Sequence, residues 1–328
     1  MTIKSSGNPL AFSEIETEFG ANGTRSLGSY RLTQSVGTLS NLPLDTGIPT
    51  SGTIKFSDFY GKQLNVVVDC HSGGREDRIT AKNDKWNNNN LTVIGGFRNK
   101  KEGGSKIYIN VNKKFCSDKF NVNNCALKTG SWDSTATVQV DLGSNARIFG
   151  AGGDGGSGSQ GTNNNGSPGG SGTSGLGIDT NNVTVNVGSG AIIRAGFGGG
   201  GGGGGGSQQD KNADRRASGG GGGGGAGCPP GNGGPGGNVG AGGGAGSAGT
   251  ETSGGTGGGG GNNANQAYGG RGGDGANLGG NAQGGSGSQS GGGSAGGNGA
   301  AIRRNSGFSV TINNSGTITG STTATGVG

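Results

Sequence analysis

Apolar and polar residues alternate along four stretches in the middle of this chain: Asn65–Asp69, Leu91–Ile94, Lys106–Val111 and Thr137–Leu142. A two-residue period sends successive side chains to opposite faces of a pleated strand, so each stretch predicts a half-buried β-strand. The pattern returns in an eleven-position form. Val138–Ile148 (VQVDLGSNARI), Val183–Ile193 (VTVNVGSGAII) and Phe308–Ile318 (FSVTINNSGTI) each carry three alternating apolar residues, a Gly/Asn–Ser/Asn turn and a closing isoleucine. These three predict a repeated β-hairpin. With Trp86 and Trp132 as core anchors, residues 63–149 predict a small antiparallel β domain.

The N-terminal stretch follows another period. Residues 10–20, LAFSEIETEFG, predict a short helix with Ser13 and Glu16 as a capping box and Gly20 as its stop. After a turn-rich segment, Thr53–Phe56 predicts a strand and Ser57–Tyr60 a helical turn closed by Gly61. Residues 1–62 therefore predict a small α+β module.

Beyond residue 149 apolar periodicity almost disappears, and composition takes over. Of the 88 glycines, 16 lie in residues 1–149 and 72 in residues 150–328. Glycine loses more backbone entropy on folding than any other residue and brings no side chain to bury. The spacing shows what replaces a core. Gly231, Gly234, Gly237, Gly240, Gly243, Gly246 and Gly249 recur at every third position, and shorter runs in the same period start at Gly152, Gly166 and Gly196. Three residues per turn is the period of the extended left-handed helix, which rises about 3.1 Å per residue. Collagen also has this period but needs an unbroken repeat and abundant proline; here the phase resets and the chain has 7 prolines. Residues 150–328 predict a bundle of packed polyglycine II helices, with the repeated hairpins as apolar seams.

Charge and cysteine usage add limits. The net charge of +6 is concentrated in residues 63–149, where Lys100, Lys101, Lys106, Lys113 and Lys114 cluster; lysines guarding a sheet edge account for the cluster, and no nucleic-acid motif accompanies it. No run of 18 apolar residues predicts a membrane span. The start, MTIKSSGNPLAF, lacks the apolar core of a signal peptide, which predicts synthesis in a cytoplasm and delivery by assembly or lysis. Cys70, Cys116, Cys125 and Cys228 form no C-x-x-C pair and meet a single histidine, His71, which excludes a zinc site. A disulfide between two of Cys70, Cys116 and Cys125 and a set of unpaired buried thiols are equally open. No catalytic constellation emerges. The Cys70–His71 pair lacks a nucleophile context; of Glu76, Asp77 and Asp84, the carboxylates that could supply a glycosidase pair, a solvated turn, GGREDR, explains the first two better; and GxGxxG matches in the glycine half follow from composition. No enzyme activity, cofactor or metal is expected.

Two resemblances direct the functional reading. The pair LAFSEIETEFG and IPTSGTIKFSDFYG resembles the N-terminal module of tailed-bacteriophage virion proteins, notably tail and fibre components. That resemblance implies virion attachment through residues 1–62, with Phe19, Phe56, Phe59 and Tyr60 in the two motifs. The succession of strand, turn and glycine run over residues 138–328 resembles the distal adhesins of T-even-type long tail fibres. It implies a polyglycine sandwich whose loops contact the host receptor. The longest and most charged interruption is Ser207–Ser218, with Lys211, Arg215 and Arg216; Asn262–Tyr268, with Asn265, and Asn277–Gln283 are shorter. Such a protein would be made in the host cytoplasm and reside in the phage tail. Its partners would be other tail or fibre proteins and a host surface glycan, lipopolysaccharide or outer-membrane protein, with no nucleic acid and no membrane insertion. A baseplate, collar or decoration protein without host contact is the nearest rival. An ice-binding protein comes after it, opposed by the charge of 207–218.

Overall fold

The computed structural model describes residues 3–19, 26–36, 39–70, 104, 106–119, 121–130, 132–161, 164–210, 213–263 and 267–327. The protein is mainly β, with one α-helix among the described residues. That helix, α1 (Phe12–Phe19), starts from Ala11: the Glu14 carboxylate accepts the Ala11 backbone N–H at 2.7 Å. The expected Ser13–Glu16 box is therefore displaced by two residues, and Ser13 lies inside the helix, where its carbonyl accepts from the Thr17 hydroxyl. β1 (Thr33–Val36) and β2 (Leu39–Pro43) form an antiparallel pair. No strand forms at Thr53–Phe56, because the Asp58 carboxylate accepts the Lys55 N–H at 2.7 Å and starts a 3₁₀ turn at Phe56. Ile15, Phe19, Tyr30, Leu44 and Phe59 fill the core of this module. The rings of Phe19, Tyr30 and Phe59 meet edge to face at 5.6–6.2 Å between centroids, and burial raises the Tyr30 phenol pKa to about 12.

From β3 (Val66–Cys70) onward the chain winds into a solenoid. The first coil is β4 (Lys106–Val111), β5 (Lys114–Cys116) and β6 (Cys125–Lys128). The second is β7 (Thr137–Leu142), β8 (Arg147–Phe149) and β9 (Ser174–Ile178). In the third, β10 (Val183–Val187) and β11 (Ile192–Arg194) are followed by the short strands β12 (Gly206–Asp210), β13 (Ala213–Ala217), β14 (Asn262–Asn263) and β15 (Ala267–Tyr268), before β16 (Ile302–Arg304) closes the coil. The fourth is β17 (Val310–Asn314), β18 (Thr317–Thr319) and β19 (Ala324–Thr325). First strands stack in the order β17-β10-β7-β4-β3, second strands in the order β18-β11-β8-β5 and third strands in the order β19-β16-β9-β6.

All three sheets are parallel, which corrects the expected antiparallel domain and hairpin seams. Alternation reports which face a side chain takes and is blind to strand direction. Each strand–turn–strand unit bends around a corner and pairs with its counterpart in the next coil. The inward residues then stack like on like: Ile107, Val138, Val183 and Val310 along one row, and Phe115, Ile148, Ile193 and Ile318 along another. Most of these side chains are fully buried, each contributing about 1.5–3 kcal/mol. Trp132 is half-buried against this core and donates its indole N–H to Thr129 O at 2.8 Å; Trp86 and Leu91–Ile94 lie outside the described residues. One register differs from the eleven-position alignment. Val310, not Phe308, faces Val183, since residues 315–316 make a two-residue turn where residues 188–191 make one of four. A shift of two keeps every side chain on its face.

The glycine-rich sequence is inserted between the second and third strands of the second and third coils. Residues 150–159, 166–173, 195–205, 218–226, 231–238, 241–250, 254–261, 269–276, 283–287 and 290–299 run as extended segments bonded laterally to one another. Partners rotate with a period of three. Gly199 and Gly202 donate to Gly170 and Ser167; Gly200 and Gly203 to Gly223 and Gly220; Gly201 and Gly204 to Gln283 and Ser286, all at 2.7–3.0 Å. The unbroken glycine runs 198–206 and 219–225 are the segments enclosed by neighbours, and a Cβ added at Gly200, Gly203 or Gly222 would sit 2.0–2.1 Å from a carbonyl oxygen. At the solenoid end Phe197, Ala195, Ala226 and Ala276 make a small apolar cluster with Leu278 and Ala282.

Three side-chain links join these parts. Lys106 reaches Asp45 of the N-terminal module at 2.9 Å, Lys119 reaches Asp154 at 2.9 Å, and Lys114 pairs with Glu251. Lys106 and Lys114 thus tether neighbouring parts, and β4 lies inside its sheet rather than at an edge; Lys100 and Lys101 lie outside the described residues. The disulfide joins Cys116 of β5 to Cys228 in the turn after residue 226, which corrects the expected pairing within Cys70, Cys116 and Cys125: the chain returns to the solenoid at Cys228. Cys70 and Cys125 are buried thiols outside that disulfide, and desolvation raises the Cys125 thiol to about 12.

The packing distances give a direct test. A Cβ at Gly237 or Gly243 would lie 1.9 or 2.1 Å from a carbonyl oxygen, whereas one at Gly259 meets nothing within 4 Å. Leucine at both Gly237 and Gly243 is expected to abolish folding of the glycine-rich part in calorimetry, and Gly259→Ala to leave its unfolding temperature within a few degrees of wild type.

Candidate functional site

The hydrogen-bond registers place one end of every extended segment against the solenoid and the other away from it. Residues 203–205, 218–219, 237, 243, 261, 269 and 293 bond within one neighbourhood, and residues 150–153, 173, 196–197, 225–226, 249–250 and 299 within the opposite one. The turns that leave residues 159, 205, 237, 261 and 287 therefore converge on the free end. The two charged or polar interruptions singled out in the sequence lie there side by side, each as an antiparallel β pair: β12 with β13, and β14 with β15.

The base of this surface is held by side chains bonding to backbone. Gln289 Oε1 accepts the Ser207 N–H at 2.7 Å and its hydroxyl at 2.8 Å. The Ser290 hydroxyl accepts the Gly205 N–H at 2.8 Å and lies 2.7 Å from Asn164 O. Asn165 Oδ1 accepts the Gly291 N–H at 2.8 Å. The Ser218 hydroxyl accepts from Val239 N at 2.9 Å and lies 2.8 Å from Val239 O, so the turn with Gly240 (φ +69°) rests on the foot of the charged hairpin. The Tyr268 carbonyl packs against Gly206, where a Cβ would come within 2.1 Å of it, and also accepts from the Ser288 hydroxyl.

The structure separates the nominated residues. In the hairpin, Arg216 stands opposite Ser207 and Arg215 opposite Gln208; Arg216 is exposed and engaged within the protein, and Lys211 lies outside the described residues. Asn262 and Tyr268 are paired and exposed, with Tyr268 at 59%, and Asn265 lies outside the described residues. The interruption at Asn277–Gln283 sits at the opposite end, where Asn277 Oδ1 accepts the Gly254 N–H at 2.9 Å and Leu278 joins the apolar cluster. Sequence reading missed Val239, Ser288–Ser290 and Gln160, whose Oε1 accepts the Asn238 N–H at 3.3 Å, because single substitutions in a glycine run look the same at a turn and along an exposed face. In the N-terminal module Phe19 and Phe59 are fully buried core residues, the Tyr60 hydroxyl donates to Asn8 O, and Phe56 is 40% exposed against Phe12.

A sequence model of the phage tail fibre adhesin Gp38 family matches residues 76–323, through the solenoid and the glycine lattice. The chain belongs to that family. This tail fibre adhesin is also similar to the crystal structure of the gp37–gp38 adhesin tip complex of the bacteriophage S16 long tail fibre, with 19% sequence identity and a TM-score of 0.36 over 96% of this chain and 98% of that one. No curated protein sequence matches it. The family places the adhesin in the virion tail. Among the described residues no helix is long and apolar enough to cross a membrane, and no cluster of ligating side chains is placed to hold a metal ion.

Ser290→Ala removes the hydroxyl that joins three turns at the free end. It is expected to cost about 1–3 kcal/mol locally, as for a buried group left without its partner. Amide exchange at Gly205 should accelerate while exchange in the solenoid strands stays unchanged.

Proposed function

We propose that this protein is the receptor-binding component of a tail fibre tip, with the turns at the free end of the glycine lattice contacting the host surface and residues 1–62 joining the fibre. One observation carries the reading. The large apolar side chains left exposed among the described residues are Phe56 and Tyr268, one on the N-terminal module and one on the turn surface. Exposed aromatic side chains on rigid supports are the usual anchors of protein interfaces. Family membership favours a tail fibre protein as the partner and an adhesive over a baseplate, collar or decoration role.

In this reading the extended segments are polyglycine II helices. Support comes from donors that change neighbour with every residue and return to the same neighbour at every third. Such a lattice transmits little motion, so its turns act as a pre-organised surface, which lowers the ordering cost of binding. Lys211, Arg215 and Arg216 suit phosphate and carboxylate groups of lipopolysaccharide or anionic glycan, since guanidinium bonds them bidentately. Asn262, Asn265 and Tyr268 supply neutral contacts beside them. Asp210 and Asp214 in the same hairpin moderate its net charge. The protein acts by binding, without a catalytic step.

Two experiments test the two ends separately. Phage carrying Arg215→Ser and Arg216→Ser should adsorb to host cells at least tenfold more slowly, with the adhesin folded and present on particles. Normal adsorption would move the contact to Asn262–Tyr268 or off this surface. Phe56→Ser should leave a folded protein that no longer co-purifies with fibres; undiminished incorporation would place attachment elsewhere than residues 1–62.

A further inference from the structure

The outward face of the first-strand sheet carries a feature that the receptor-binding reading does not use. Alternation turns Ile107, Val138, Val183 and their stacked partners inward, so the intervening residues point out. At one register level Tyr108, Gln139, Thr184 and Thr311 stand side by side on four adjacent strands. One level earlier, Lys106 and Thr137 are paired, and Asn182 and Ser309 directly precede β10 and β17. Parallel strands lie about 4.8 Å apart and alternate residues about 6.6 Å apart along a strand, giving a regular grid of hydroxyl and amide groups on a rigid support. These two rows line a cavity of about 370 Å³. The N-terminal module adjoins this face, because Val67, paired with Tyr108 on the next strand, and Tyr108 itself pack against its core.

The chemistry of the lining selects a ligand class. Among the described residues Lys106 is the single cation lining the cavity and is paired with Asp45 at 2.9 Å, which argues against a polyanion that needs several cationic contacts. Among the described residues lining the cavity, no aliphatic side chain projects outward to serve as the anchor of a protein interface, and Val67 on the same face is covered by the N-terminal module. What remains is one aromatic ring, Tyr108, beside a row of neutral donors and acceptors. Burial holds the Tyr108 phenol above its ordinary pKa, so the group stays a neutral donor. The outer row beyond it is also polar and cross-linked: Asp141 accepts from Gln139 at 2.9 Å and from Asn186 at 2.7 Å, and Asn186 accepts from Asn313 at 2.8 Å. Gln139 is thereby held in place. A ligand that covers such a grid must present hydroxyls at short intervals and a face able to lie on a ring.

We propose that this groove on the side of the solenoid is a second binding site, for a neutral oligosaccharide of two or three sugar units. It lies on a different part of the molecule from the turn surface, and weak contacts with surface polysaccharide there would hold the adhesin near the cell before the turns engage.

The test uses the full-length protein with maltoheptaose, cellopentaose and tri-N-acetylchitotriose as probes in saturation-transfer NMR. At least one probe should receive transfer, with a dissociation constant on the order of millimolar, as expected for few uncharged contacts. Thr184→Val together with Thr311→Val removes two hydroxyls while keeping side-chain shape and strand preference. This variant should keep the wild-type unfolding temperature and bind the same probe at least tenfold more weakly. The Arg215→Ser, Arg216→Ser variant should bind it as wild type does, which separates this site from the turn surface. Absence of transfer from all three probes, or unchanged binding by the double valine variant, would overturn the proposal.

Discussion

Close approach of bare backbone is the constraint on which the rest of this molecule depends. In the glycine lattice, a methyl group added at most interior positions would lie about 2 Å from a neighbour's carbonyl oxygen. No side chain fits, so lateral amide bonds replace side-chain burial as the source of cohesion. Each such bond is worth only about 0.5–1.5 kcal/mol net, against an ordering cost of about 1–2 kcal/mol per residue. The lattice therefore cannot be stable piecemeal. It forms when every segment has neighbours, which explains why the two pure glycine runs are the enclosed ones and why substituents such as Asp154, Asn232, Pro235, Arg271 and Asp274 sit on outward positions.

The solenoid supplies the fixed frame that this cooperative structure needs. Both glycine insertions leave from a second strand and return to a third strand, so their ends are held by paired β-strands with an apolar interior. Phe197 and its alanine neighbours extend that apolar interior a short way into the lattice. The Cys116–Cys228 bridge and the Lys114–Glu251 and Lys119–Asp154 pairs add tethers at the same end. Cohesion is thus greatest near the solenoid, and the opposite end is free to carry turns of unrelated length and charge. Variation in those turns leaves the lattice untouched so long as the glycines at their feet, such as Gly206 and Gly240, are kept.

Much of the local structure can be read from residues alone. The strands Lys106–Val111 and Thr137–Leu142 form over the expected residues, since inward apolar and outward polar positions at a two-residue period admit one burial pattern. The glycine-rich half is devoid of helix among its described residues, as its composition requires. The long charged interruption at residues 207–218 stands out because it exceeds what a turn needs. The virion-module motifs hold Phe19 and Phe59, whose burial shows that part of a recognisable motif is core packing.

Tertiary structure decided what no local pattern contains. Strand direction was one such matter, because alternation is identical in parallel and antiparallel sheets and only the choice of partner distinguishes a corner from a hairpin. The partners of each glycine segment were another: glycine has no side chain with which to specify a neighbour, so pairing follows from the lengths of segments and the positions of their ends. Cys116 and Cys228 are 112 residues apart and meet because one lies on the solenoid and the other on a turn that returns to it. The same geometry brought the turns that leave residues 159, 205, 237, 261 and 287 to one end while sending 277–283 to the other. By itself the sequence determined which residues must be buried, which must be bare and which must be loops. The path of the chain through the lattice determined which loops form a surface.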